Sequence, residues 1–139
     1  MRRYALSLAW LISLIGTLGS LYFSLILHLE PCHLCWYQRI CLFPLIFILG
    51  FAAWKHNKPA ALYTLPQVLI GLIFAGYHML IQISPSLDIA QFCGQGPSCT
   101  EQHTLGFGWV SIPALSLCAF GTILILILWS QAKMPSEEL

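Results

Sequence analysis

The chain reads as an all-α membrane protein, a bundle of four transmembrane helices, and three features carry that expectation. Hydrophobic residues fill 58% of its 139 positions and charged residues only 8%, against roughly 25% charged in soluble globular proteins. Four apolar segments, at about 5–27, 36–54, 63–83 and 109–129, each approach the roughly 20 residues that a helix needs to cross a hydrocarbon core about 30 Å thick. Alternating polar positions are absent, so helices that satisfy their own backbone groups are favoured over a barrel. Together they use nearly all of residues 1–139 as a single four-helix membrane domain.

The formal charge of +1 says little about partners, and no nucleic-acid partner is expected; the placement of the basic residues says more. Arg2 and Arg3 precede the first helix, Lys55 and Lys58 separate the second from the third, and Lys133 follows the fourth. In a four-helix topology all five fall on one face, which the positive-inside rule makes cytoplasmic, with both termini on that side. Arg39 is the one basic residue left for the opposite face. The first apolar run is longer than the roughly 7 to 15 residues of a signal h-region and lacks a convincing cleavage site, so it is expected to stay as a helix.

In helix one, Gly16, Ser20 and Ser24 form a small-xxx-small face suited to close helix packing. Pro31 disfavours helical geometry at Glu30 and ends the run near His28, just before Cys32. Helix two is expected directly after Cys35, with a kink or local adjustment where Pro44 removes the amide that would bond to the Ile40 carbonyl. Cys41 within it reads as an apolar filler. Trp54 marks the interface before a short polar turn, Lys55 to Pro59.

Helix three carries Pro66 in its first turn, where proline is tolerated, and Gly71 with Ala75 as a second small pair. His78 and Gln82, four residues apart, share one face near its far end. Such a pair near a helix end is often only interfacial, yet ionisable groups within spans are also functional candidates, and both readings stay open here. The connection from Ser84 to Gly108 holds Cys93 and Cys99 around Gly94, Gly96 and Pro97, a small ring if oxidised, worth roughly 2 to 2.5 kcal/mol in the chain-entropy model. Leu87 to Phe92 could form one amphipathic turn, and Glu101 and His103 read as solvated loop residues. Helix four opens at Trp109, with an early Pro113 and a third small-residue stripe, Ala114, Cys118 and Thr122. The tail from Gln131 to Leu139 is short and polar.

This topology sorts the six cysteines. Cys32 and Cys35 fall in the first extracytoplasmic loop and Cys93 and Cys99 in the second, where disulfides form and persist. Cys35 lies at the positive end of the helix-two dipole and Arg39 follows one turn on, so both are expected to favour its thiolate; His33 reads as a spacer. Two dithiols on one face suggest a relay by thiol-disulfide exchange, which moves two electrons toward the membrane rim. Trp36 follows Cys35 where a c-type haem site would need His, and no flavin or nicotinamide glycine motif is present. A lipid-soluble acceptor such as a quinone fits.

Cys32-His33-Leu34-Cys35-Trp36-Tyr37-Gln38-Arg39, Gly19 to Ser24 in helix one and the short Cys93 to Cys99 loop resemble the DsbB/BdbC family of membrane thiol-disulfide oxidoreductases, nearest to its BdbC type. The resemblance spans all four helices. It implies an enzyme of a bacterial plasma membrane that reoxidises a thioredoxin-fold oxidase of the DsbA/BdbD kind and passes electrons to membrane quinone, either menaquinone or ubiquinone. It further implies that Cys93 takes the mixed disulfide with the partner, that Cys99 resolves it, and that Cys32 exchanges with that pair. Cys35 would face the quinone with Arg39 stabilising the charged state formed there, and His78 and Gln82 would belong to the quinone pocket. The five-residue spacing of Cys93 and Cys99 departs from the wide spacing of the DsbB type, so the order of exchange stays open. The alternatives are a non-catalytic scaffold stapled by loop disulfides, and a zinc site of Cys32, Cys35, Cys93 and Cys99, which an oxidising compartment disfavours; no metal is expected.

Overall fold

The computed structural model describes residues 4–28, 32–84, 86 and 111–132. It contains α1 (Ala5–Leu25), α2 (His33–Trp54), α3 (Lys58–Leu62), α4 (Leu65–Ile83) and α5 (Ile112–Gln131). Four of them, with α3 and α4 read as one span from Pro59, are long and apolar enough to cross a membrane. The long helices close a four-sided bundle in which α1 packs on α2 and α5, and α4 packs on the same two neighbours.

Local chemistry sets the helix ends. α1 stops at Leu25, and His28 at φ 52° turns the chain off the helix axis. At the other end of α2 the Asn57 amide bonds back to the Ala52 carbonyl at 2.9 Å and the His56 amide to Ala53 at 3.4 Å, with His56 at φ 50°. This is a Schellman closure with histidine in the left-handed position that glycine usually takes. The Asn57 side chain then accepts from the Ala60 amide at 3.2 Å and starts α3. The expected polar turn is therefore a cap followed by one helical turn. Pro59, Pro66 and Pro113 all fall in the first turn of a helix, where a missing amide costs nothing.

Pro44 lies inside α2, which runs unbroken from His33 to Trp54. Near it the Gln67 side chain of α4 donates to the Cys41 carbonyl at 2.7 Å. A neighbouring helix thus places a donor on the carbonyl next to that of Ile40, the one Pro44 leaves without its amide.

Packing follows from small residues meeting large ones. A Cβ at Gly71 would run into the Phe120 ring of α5, one at Gly50 would lie 2.9 Å from the Trp10 indole nitrogen, and one at Gly16 3.2 Å from Leu42. Leu45, Leu49, Ala75, Phe120, Ile123 and Ile127 fill the buried centre, and Cys41 is buried among them. Phe47 and Ile73 are 79% and 68% exposed, which suits a surface solvated by acyl chains rather than water. The stripe of Ala114, Cys118 and Thr122 does not pack as expected. Cys118 and Thr122 face outward, and α5 meets its neighbours through Phe120, Ile123 and Ile127 instead. In lipid a small residue gains nothing from burial unless a large partner such as Phe120 faces it.

Candidate functional site

α2 starts at His33, three residues earlier than the segment placed after Cys35. Cys32 is consequently the N-cap residue, with ψ 168°, and its carbonyl accepts the first helical bond from the Trp36 amide at 3.1 Å. Cys35 sits within the first turn. One turn of helix brings the two sulfurs to 3.4 Å, hydrogen-bonding distance for sulfur. Cys32 is buried at 7% exposure, packed with Leu34 and Ile81 and flanked by Phe74 and Tyr77, while Cys35 is half-buried.

His78 is the third member. From the outer turns of α4 its Nε2 lies 3.8 Å from Cys32 Sγ, and its Nδ1 lies 3.3 Å from Gln38 Nε2. His78 and Gln38 are buried at 4% and 6% exposure, so each ring nitrogen has a protein partner rather than water. An imidazole held at both nitrogens has its tautomer fixed by the partner on one side. The side-chain hydrogen bond with Cys35 is the main cause that holds the Cys32 thiol down at about 4, with His78 helping and burial opposing. The hydrogen bonds from Cys35 and His78 thus both favour a thiolate on Cys32, at the helix N-terminus.

Arg39 turns away toward α1. Its Nε donates to Ser20 Oγ at 2.7 Å, and one terminal nitrogen donates to the Ser20 carbonyl at 3.0 Å and to Ser24 Oγ. The guanidinium also stands 5.5 Å from the Trp36 ring centroid and within electrostatic reach of Cys35. Ser20 and Ser24, read as packing residues, thus anchor a cation inside the bundle; Gly16 alone keeps the purely steric role. Tyr37 stacks on Phe74 at 5.2 Å and 15°, tying α2 to α4 beside the sulfurs.

The structure thus joins Cys32, Cys35 and His78 and sets Arg39 beside them. Gln82 is half-buried one turn beyond His78 and stands outside this hydrogen-bonded set. Cys93 and Cys99, Glu101, His103 and the stretch Leu87 to Phe92 lie outside the described residues. Gln38 was missed in the sequence, although an amide side chain inside an apolar span is the signal that finds it.

A search of family models matches residues 2–130 to the model described as "Disulfide bond formation protein DsbB". Among curated proteins the chain is 45% identical over 134 residues to a "Probable disulfide formation protein" of Chlamydia trachomatis, covering 96% of this chain and 97% of the relative. It is 42% identical over 120 residues to a protein of the same description from Coxiella burnetii, covering 86% and 82%. A "Probable disulfide formation protein C 2" of Bacillus anthracis is 40% identical over 137 residues, covering 99% and 97%. No solved structure matches.

Proposed function

The chain belongs to the DsbB family of disulfide bond formation proteins, and on that premise we propose that it oxidises a thioredoxin-fold partner of the DsbA/BdbD kind and delivers the electrons to a membrane quinone. It is a multi-pass membrane protein and a disulfide-forming oxidoreductase. One observation carries the finer reading: a cysteine pair at the end of a membrane bundle has an imidazole on one sulfur and a guanidinium near the other.

In this proposal the partner's thiolate attacks the Cys93–Cys99 disulfide, Cys93 takes the mixed disulfide while Cys99 leaves as a thiolate, and the partner's second thiol then displaces Cys93 to close the partner's disulfide. Cys32 exchanges with that second pair, and the Cys32–Cys35 disulfide accepts the two electrons. A thiolate is the attacking species in each exchange. With the Gln38 amide nitrogen donating to Nδ1, the ring proton sits on Nε2, placed to be donated to the Cys32 thiolate. Gln38 keeps the ring aimed at that atom.

The residues near Cys35 fit a flat, lipid-soluble acceptor. Trp36 and Tyr37 are exposed on the lipid side, and Arg39 supplies a cation held rigidly by Ser20 and Ser24. Quinone at this rim would supply a two-electron, two-proton sink, either menaquinone or ubiquinone, with His78 and Gln82 as further polar groups toward it. The positive-inside rule, applied to Arg2, Arg3, Lys55, Lys58 and Lys133 in the sequence, supports an extracytoplasmic side of a bacterial plasma membrane for the cysteine end.

The test uses the protein in lipid with a reduced thioredoxin-fold oxidase and a soluble quinone analogue. Quinol is expected to form, Cys35→Ser to stop it, and Cys99→Ser, mixed with the same oxidase in its disulfide form, to hold a partner disulfide through the free Cys93 thiol. Unchanged turnover in Cys35→Ser would remove Cys35 from the role, and disulfides that persist when the reduced partner is added would support a stapled scaffold instead.

A further inference from the structure

We propose that the reduced protein binds one zinc ion through Cys32, Cys35 and His78, and that zinc and the Cys32–Cys35 disulfide exclude one another. The ligand atoms of these three residues all lie within 4.8 Å of one another, and each offers one soft or borderline donor. Zinc–sulfur bonds of about 2.3 Å and zinc–nitrogen bonds of about 2.0 to 2.1 Å in a tetrahedron require sulfurs roughly 3.7 to 3.8 Å apart and sulfur to nitrogen roughly 3.5 to 3.6 Å. The sulfurs stand at 3.4 Å and Cys32 Sγ to His78 Nε2 at 3.8 Å, each a few tenths of an ångström from that geometry.

Three further features favour zinc over other ions. Two thiolates and a neutral imidazole cancel its double charge, so the complex brings no net charge into a largely buried site. Cys35 is half-buried, so the fourth ligand of a zinc held there would be a water, whereas calcium and magnesium would want oxygen donors that the triad lacks. Gln38 already sits on His78 Nδ1 and, with its carboxamide turned over, accepts the Nδ1 proton, the outer-shell contact that orients a metal-bound histidine. The four-cysteine arrangement is not needed, because the third ligand comes from α4.

Binding moves no electrons. Zinc takes two thiolate sulfurs and one imidazole nitrogen, and any thiol proton displaced leaves to solvent. A two-electron oxidant such as a protein disulfide would form the sulfur–sulfur bond, take the electron pair and release the ion, so bound zinc holds the pair reduced. This inference stands on the triad alone and does not depend on a quinone acceptor.

The experiment loads full-length protein in lipid with zinc after reduction and removal of reductant, and counts bound metal. One zinc per chain is expected in the reduced protein and none when Cys32 and Cys35 are oxidised. The Cys93→Ser/Cys99→Ser double variant should bind as the parent does, His78→Ala should lose affinity by 100-fold or more, and Gln38→Ala by about 10- to 100-fold. Cobalt in place of zinc reads the ligand set in the unaltered chain, where a tetrahedral spectrum with two thiolates is expected. A four-thiolate cobalt spectrum, loss of zinc in the double serine variant, or unchanged affinity in His78→Ala would each overturn the proposal.

Discussion

α2 and α5 are similar in length and apolar character but use their polar groups in opposite ways. In α5 the hydroxyls of Ser116, Thr122 and Ser130 return to carbonyls of their own helix, and contact with the neighbours is made by Phe120, Ile123 and Ile127. In α2 the polar groups reach outward: Cys32 and Gln38 to His78 of α4, Arg39 to Ser20 and Ser24 of α1, and the Cys41 carbonyl to Gln67 of α4. Lipid offers no hydrophobic drive for helices to associate, so steric fit and interhelical hydrogen bonds must do it. α5 relies on the first and α2 adds the second. Redox chemistry needs fixed charge and fixed proton positions, and only the α2 pattern provides them.

The largest expected effect tests that chemistry at Cys32. Its thiol is held down to about 4 from an ordinary value of 9.0. The depressed value favours the reduced form and makes the Cys32–Cys35 disulfide the stronger oxidant. The sign runs one way: that advantage is complete above about 9 and is lost as the pH falls through about 4. Thiolate absorbance of reduced protein that keeps Cys32 and Cys35 but lacks the other cysteines should titrate with a first midpoint near 4, and His78→Ala should raise it. A midpoint near that of a free thiol would separate the geometry of the pair from its ionisation. Next in size is Arg39→Met, expected to lower quinone-analogue reduction about 100-fold, the scale of losing one preorganised charge at a reacting centre. The kcat, not the binding of the partner, should carry the loss.

The same contrast explains what could be read from the linear chain. Segment lengths and composition establish the spans, because the hydrocarbon thickness acts on every residue of each helix in the same way. Cys32, Cys35, Arg39 and His78 stand out because their side chains are costly within apolar runs. What α2 does with them depends on partners 15 to 46 positions away, and no local pattern contains such distances. Ser20 and Ser24 look like a packing stripe until Arg39 is placed on them, and Cys118 and Thr122 look like one although both face outward. His33 marks a subtler case: a start of α2 three residues earlier moves the helix N-terminus from Cys35 to Cys32, and helix ends are the least local feature to be read.

Gly71 probes the apolar seam. A side chain there would run into the Phe120 ring, and Gly71→Leu is expected to destabilise the bundle by about 1 to 3 kcal/mol through overpacking. Unfolding in a denaturing detergent series measures it. Turnover per folded molecule should hold, since the α4–α5 contact carries no proton or charge to the sulfurs. A loss of turnover without loss of stability would mean that α5 shapes the site after all.

The finest comparison makes one chemical change on each helix pair. Ser20→Ala deletes an acceptor of Arg39 in the seam between α1 and α2, whereas Thr122→Ser keeps a hydroxyl that bonds only to Cys118 of its own helix. Interhelical hydrogen bonds in membranes average about 0.6 kcal/mol in double-mutant cycles, so Ser20→Ala should cost about that much and Thr122→Ser nearly nothing. The cycle Ser20→Ala with Arg39→Met decides whether the contact is the cause. If the serine acts by receiving the guanidinium, its cost disappears once Arg39 is gone; if it acts by size alone, the two costs add. Additivity would return Ser20 to the steric class of Gly16, and the polar character of α2 would then rest on its α4 side.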